Sequence, residues 1–112
     1  MKNKNNTCLV SFIYPDKLNH LDYFVSKLKE QTDQKFDFVL FINNSNKKIK
    51  NKYIKKKIYI NYPIVKSRFV MIQKIKNLDY KNIIFLDIDD TMSKRRIEFS
   101  KKMLKFNSLV VN

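Results

Sequence analysis

The chain has 112 residues, 44% of them apolar, with 24 basic and 10 acidic residues and a formal charge of +14. That length supports one domain with its own core and excludes two, and the apolar fraction excludes intrinsic disorder. No apolar run exceeds the five residues from Phe38 to Ile42, far short of the ~18 that a bilayer span needs.

The opening segment Met1 to Asn6 is polar and predicts no signal peptide. The single cysteine, Cys8, cannot form an internal disulfide and falls in an apolar strand pattern. It is expected to be a small buried hydrophobe, in a reducing, cytoplasmic protein. A basic chain favours acidic partners: nucleic acid, anionic lipid or phosphorylated small molecules. The excess is discounted here, because Lys, Asn and Ile are all abundant and share A/T-rich codons. Arginines number three (Arg68, Arg95, Arg96), and nucleic-acid surfaces lean on Arg forks, so nucleic acid is not the expected partner.

In chain order, Thr7 to Tyr14 is a β-rich run closed by Pro15-Asp16, which predicts a buried strand. Leu18, Leu21, Val25 and Leu28 mark one face of a helix, capped by Asp16 or Asn19 and ended by Gln31-Thr32-Asp33. Phe36 to Ile42 is a second strand, followed by the polar loop Asn43 to Asn46. Lys47 to Lys57 reads as a short, solvated, lysine-rich helix, and Lys57 to Asn61 as a short edge strand. Pro63 opens a helix with the expected buried stripe Val65, Phe69, Ile72, Ile75 and Leu78. Ile83 to Leu86 is a continuous apolar run suited to a central strand. Ser93 can cap a helix over Lys94 to Phe106, and Leu109 to Val111 begins another strand. This alternation predicts an α/β fold, mainly parallel, with helices on both faces of the sheet.

Glycine is absent, where average usage gives about eight. A Walker loop and a dinucleotide fingerprint both need glycine for close approach of backbone amides to phosphate. Any diphosphate bound here must therefore be held by a cation and basic side chains. The run Asp87-Ile88-Asp89-Asp90 meets that need. Packed carboxylates repel one another unless a cation relieves them, and Mg²⁺ or Mn²⁺ takes oxygen ligands readily. The plainer reading is that the acids cap the next helix and face water, but a helix needs one cap and not three.

The segment Ile83 to Ile97 (IIFLDIDDTMSKRRI) resembles the metal-binding D-x-D element of family-2 glycosyltransferases. It also resembles the first motif of haloacid-dehalogenase-type phosphatases, an apolar strand followed by D-x-D-x-T. In that phosphatase family the motif normally sits on the first strand, whereas here a strand-helix-strand unit and another helix come first. Ser11 to Pro15, Ser26 to Thr32 with Phe36-Asp37, Phe38 to Ser45, and Ser67-Arg68 resemble successive elements of the glycosyltransferase nucleotide-binding half. The resemblance spans roughly Thr7 to Asn112 and departs from the family at Asn43-Asn44, where an acid is usual.

The resemblance implies a single Rossmann-like GT-A nucleotide-sugar-binding domain over residues 1–112, truncated relative to the family. It further implies that Asp87, Asp89 and Asp90 hold Mn²⁺ or Mg²⁺, and that Tyr14, Asn44, Arg68 and Asp87 contact the nucleotide. The partner would be a nucleoside-diphosphate sugar, with a glycan, lipid or protein acceptor. The catalytic base is expected beyond residue 112. Arg95, Arg96 and His20 are read as surface residues. A peripheral contact with the inner face of the membrane and a homodimer are further expectations. Two rival readings are a phosphatase with Asp87 as nucleophile and Asp89 as general acid, and a non-catalytic basic binding module.

Overall fold

The structure is a computed structural model that describes residues 4–89, 91–104 and 109–111. Five strands form one parallel sheet in the order β3-β2-β1-β4-β5, with β1 Thr7–Ile13, β2 Asp37–Asn43, β3 Lys56–Ile60, β4 Asn82–Phe85 and β5 Leu109–Val111. Parallel neighbours need crossovers. These include α1 (Leu21–Lys29), α2 (Ile64–Lys76) and α3 (Arg96–Leu104). The α/β architecture with helices on both faces is therefore as the sequence pattern predicts.

Strand alternation explains the two layers of core. Leu9 and Ile13 of β1, with Phe38, Leu40 and Ile42 of β2, pack beneath α1 and Ile97 of α3. Cys8, Val10, Val39 and Phe41 point to the other face, against Met71 and Ile75 of α2. Every residue of β2 is buried, because it is paired on both edges and covered on both faces. Cys8 is fully buried, as expected, and burial, aided by the charge of Asp37, pushes its thiol up to about 12. A thiol so shifted stays protonated at neutral pH and is unreactive.

Four expectations need correction. The first helix does not start at Asp16 or Asn19: a 3-10 turn, Pro15–His20, leads into α1, and no side chain caps it. The lysine-rich stretch is not a helix. Its backbone is tied down piecemeal, with Asn51 Oδ1 accepting from Tyr53 N, Tyr59 Oη donating to the Lys47 carbonyl, and Lys57 Nζ donating to the Ile49 carbonyl. Closely spaced like charges disfavour a helix there, and the Asn51 side chain competes for the backbone. The last helix begins at Arg96 and not at Lys94, and its expected end at Phe106 lies outside the described residues.

The largest correction concerns α2. Val65, Phe69 and Ile72 were expected to face the core, but they are 87%, 64% and 45% exposed. Ile75 of the expected stripe is buried and Leu78 packs against the same core, but the rest of the buried face is Ser67 and Met71, which share one side with Ile75 at i, i+4 and i+8. Ser67 is polar and yet fully buried. Its hydroxyl is satisfied locally by the Ile64 carbonyl at 2.7 Å.

Without glycine, two positions of positive φ fall to Asn44 (57°) and Asp79 (59°). Asn and Asp tolerate this region better than other side chains. Asn44 lies directly after β2. Its preceding neighbour, Asn43, accepts from Tyr62 N at 3.1 Å and donates to the Tyr62 carbonyl at 2.9 Å. That reciprocal pair fastens the end of β2 to the start of α2.

Candidate functional site

From β1 the chain builds outward to β2 and β3 on one side, and then to β4 and β5 on the other. At such a reversal, the connections leaving adjacent strands diverge and open a crevice beyond their carboxyl ends. Here that place is the end of β1 and β4.

The acidic run is delivered to it by an alternation of apolar and charged residues. Leu86 continues the β4 ladder, its amide donating to the Val10 carbonyl at 3.1 Å, and its own carbonyl accepts from Ser11 Oγ at 2.8 Å. Leu86 and Ile88 are buried in the α1-side core, whereas Asp87 and Asp89 are exposed. Burying each of these aliphatic side chains favours this arrangement by about 1.5–3 kcal/mol, so the two hydrophobes clamp the backbone between which the aspartates project.

Asp87, Ile88 and Asp89 line a cleft of about 230 Å³ together with Phe12, Tyr14, Lys17 and Arg68. The Phe12 and Tyr14 rings stack at 5.1 Å, and Phe12 stacks in turn on Phe41 at 6.1 Å, so an aromatic wall runs from the core to the opening. The Tyr14 hydroxyl is buried with no hydrogen-bond partner among the described residues. Such a group is costly unless a ligand or water satisfies it. Lys17 Nζ lies 3.6 Å from Asp89 Oδ2, so an ammonium already occupies the cation position beside that carboxylate. Both side chains are substantially exposed, which makes the pair weak and easily exchanged.

Four of the residues singled out in the sequence, Tyr14, Arg68, Asp87 and Asp89, thus meet in one cleft. Asn44 does not join them. It lines a separate cavity of about 500 Å³ with Ser45, Asn46, Tyr59, Ile60 and Asn61, and its amide donates to the Tyr62 carbonyl at 3.2 Å. Asp90 lies outside the described residues. Among the described residues no group of three or more His, Cys, Asp or Glu side chains gathers, which leaves two carboxylates for a cation. That number suits Mg²⁺ or Mn²⁺, which bind through one or two carboxylates, waters and substrate phosphates. The hard oxygen donors, with no His or Cys among the cleft residues, fit the same ions.

Sequence reasoning overlooked Lys17, Phe12 and Ile88 in the cleft, and it overlooked the brace behind it. Gln31 is buried at the end of α1. Its Nε2 donates to the Ser93 carbonyl at 2.6 Å and its Oε1 accepts from Ile97 N at 2.9 Å. The Ile97 amide belongs to the first turn of α3, where amides have no partner within the helix. Thr32 adds a bond from its amide to the Lys94 carbonyl at 2.8 Å. One tethered segment therefore follows the acidic loop. The only sequence signal was a Gln-Thr pair just past an apolar helical stripe.

Arg95 stays on the surface as expected, paired with Glu98 at 2.7 Å and lying over the Phe99 ring. Arg96 departs from expectation: one guanidinium nitrogen is buried, without a hydrogen-bond partner among the described residues. Glu98 is held down to about 2, first by the Arg95 hydrogen bond and then by that of Thr32. A carboxyl lowered on folding stabilises the protein above its unfolded value and ceases to do so as pH falls through the folded value. Urea unfolding of the native chain and of Glu98→Gln should therefore differ at pH 6. The difference should shrink between pH 4.5 and about 2.

Compared with protein-family models, with curated proteins and with solved structures, the chain finds no match in any of the three. Among the described residues no helix is long and apolar enough to cross a membrane.

Proposed function

We propose that the chain is a glycosyltransferase-type domain that binds a nucleoside-diphosphate sugar through a divalent cation, for transfer of the sugar to an acceptor hydroxyl. The observation that carries this reading is the meeting of Asp87, Asp89, Arg68 and Tyr14 in one cleft beyond the ends of β1 and β4. Asp87 and Asp89 are the cation ligands, and Asp89 exchanges its Lys17 partner for the ion. When bound, Mg²⁺ or Mn²⁺ neutralises the diphosphate and stabilises it as a leaving group.

The remaining contacts are supplied by the chain itself. Arg68 offers a guanidinium fork to a phosphate, and Lys17, released from Asp89, supplies a second positive charge. The Phe12–Tyr14 wall gives a flat apolar surface for the base or ribose, and the Tyr14 hydroxyl gains the partner it lacks.

Calorimetric titration with UDP and GDP, with and without Mn²⁺, tests this directly. Binding should require the metal, and Asp89→Ala should weaken it at least ~10-fold, which is about 1.4 kcal/mol. Affinity that is independent of metal, or indifferent to Asp89→Ala, would defeat the proposal.

A further inference from the structure

α2 is apolar on two sides. One side meets the sheet. On the other, Val65, Phe69 and Ile72 form an outward stripe, and Ile64 in the first turn is 60% exposed. Single exposed hydrophobes are ordinary, but several contiguous ones on one helix mark a contact surface.

The charge around the stripe is one-sided. Lys66, Arg68, Lys74 and Lys76 are exposed on the same helix, which contains no acidic residue. The imbalance extends beyond the helix: from Phe38 to Leu78 the chain has eleven basic residues and no acidic one. This segment supplies β2 apart from its first residue, Asp37, together with the lysine-rich loop, the edge strand β3 and α2. Codon bias can raise the number of lysines, but it does not clear the acids from one region of the fold.

We infer that the outer face of α2 docks on an anionic lipid bilayer. Val65, Phe69 and Ile72 enter the boundary between headgroups and acyl chains, and Lys66 beside the stripe and Lys76 at its end meet the headgroup phosphates. An apolar stripe flanked by lysines is the pattern of a helix lying in the interface, and each nearby Lys adds attraction to an anionic leaflet. At 13 residues α2 is about 20 Å long, enough to lie in the interface and too short to cross it.

Charge decides between occupants. A second copy presenting the same face would set lysine rims against each other. Nucleic acid would satisfy the lysines and leave Val65 and Ile72 in water. An anionic bilayer satisfies both. The inference does not depend on the reading of the cleft, because Val65, Phe69 and Ile72 are not among the cleft residues.

The test is co-sedimentation of the chain with phosphatidylcholine vesicles, with and without phosphatidylglycerol. The native chain should bind only the anionic vesicles, less so as salt rises. A Val65→Ser, Phe69→Ser variant should bind at least ~10-fold more weakly with its thermal unfolding unchanged, since both side chains are exposed. The chain has no tryptophan, so Phe69→Trp is a sole indole reporter, and its emission should shift to the blue on anionic vesicles. Equal binding of the serine variant would show adhesion by lysine alone and overturn the inference. So would the absence of an indole shift, or a dimer on size exclusion that the serine substitutions abolish.

Discussion

Phe38→Ala lowers the free energy of unfolding by about 3–5 kcal/mol, measured as a fall in the midpoint of urea unfolding at unchanged slope. Phe38 is 1% exposed and sits in β2, where the sheet is covered on both sides. Its ring lies 5.8 Å from that of Phe24 on α1 and 6.5 Å from that of Tyr53 in the lysine-rich loop. Truncation removes the buried apolar area and leaves a cavity between strand, helix and loop, none of which can close over it freely. Domains of this size are stable by about 5–15 kcal/mol, so the loss is a large share of the whole. Val65→Ala, on the exposed side of α2, should stay within about 0.5 kcal/mol, and an equal loss there would refute the orientation of that helix.

Gln31→Leu is expected to cost about 1–3 kcal/mol, although leucine is of similar size. The loss is polar: the Ile97 amide is left without its buried acceptor, a penalty of that order. The Ser93 carbonyl retains the Arg96 amide at 3.2 Å, so one orphaned group and not two dominates. Gln31→Glu keeps an acceptor for Ile97 and loses the donor to Ser93, so it should fall between the native chain and Gln31→Leu. Hydrogen exchange at Ile97 provides a local readout. Faster exchange in Gln31→Leu, with the β2 amides slowed or quickened only by the global change, would locate the effect at the start of α3. Unchanged exchange at Ile97 would exclude the brace.

The sheet was legible because its strands carry the signal that a doubly covered strand must carry. Thr7 to Ile13, Asp37 to Asn43 and Ile83 to Leu86 are nearly unbroken apolar runs, and nothing but burial on both faces accounts for them. The acidic cleft residues were legible for a related reason: charges directly after such a run must emerge at a strand end. The orientation of α2 was not legible. Val65, Phe69, Ile72 and Ile75 recur at helical spacing, and so do Ser67, Met71 and Ile75, so periodicity identified Ile75 but offered no means of choosing the side on which its partners lie. Ser67, fully buried on the chosen side, is a polar residue that a hydrophobic pattern does not count. Lys17 escaped notice, and Gln31 was read only as a helix end, because their roles are set by partners 72 and 62 residues away. Asn44 was drawn into the site by its place after a strand, but its side-chain amide donates to the Tyr62 carbonyl and it lines another cavity.

The position of β1 at the centre of the sheet has a consequence for the sequence of assembly. Its pairing with β2 joins segments close along the chain, and β3 can add to that unit next. Its other edge must wait for Asn82 to Phe85, a long-range closure that is slow to find. Until then Cys8, Leu9 and Val10 present an unsatisfied backbone edge flanked by apolar side chains, the kind of template on which nascent chains aggregate. The crevice between β1 and β4 thus comes into being only after the β1–β2–β3 unit has a fourth strand to receive.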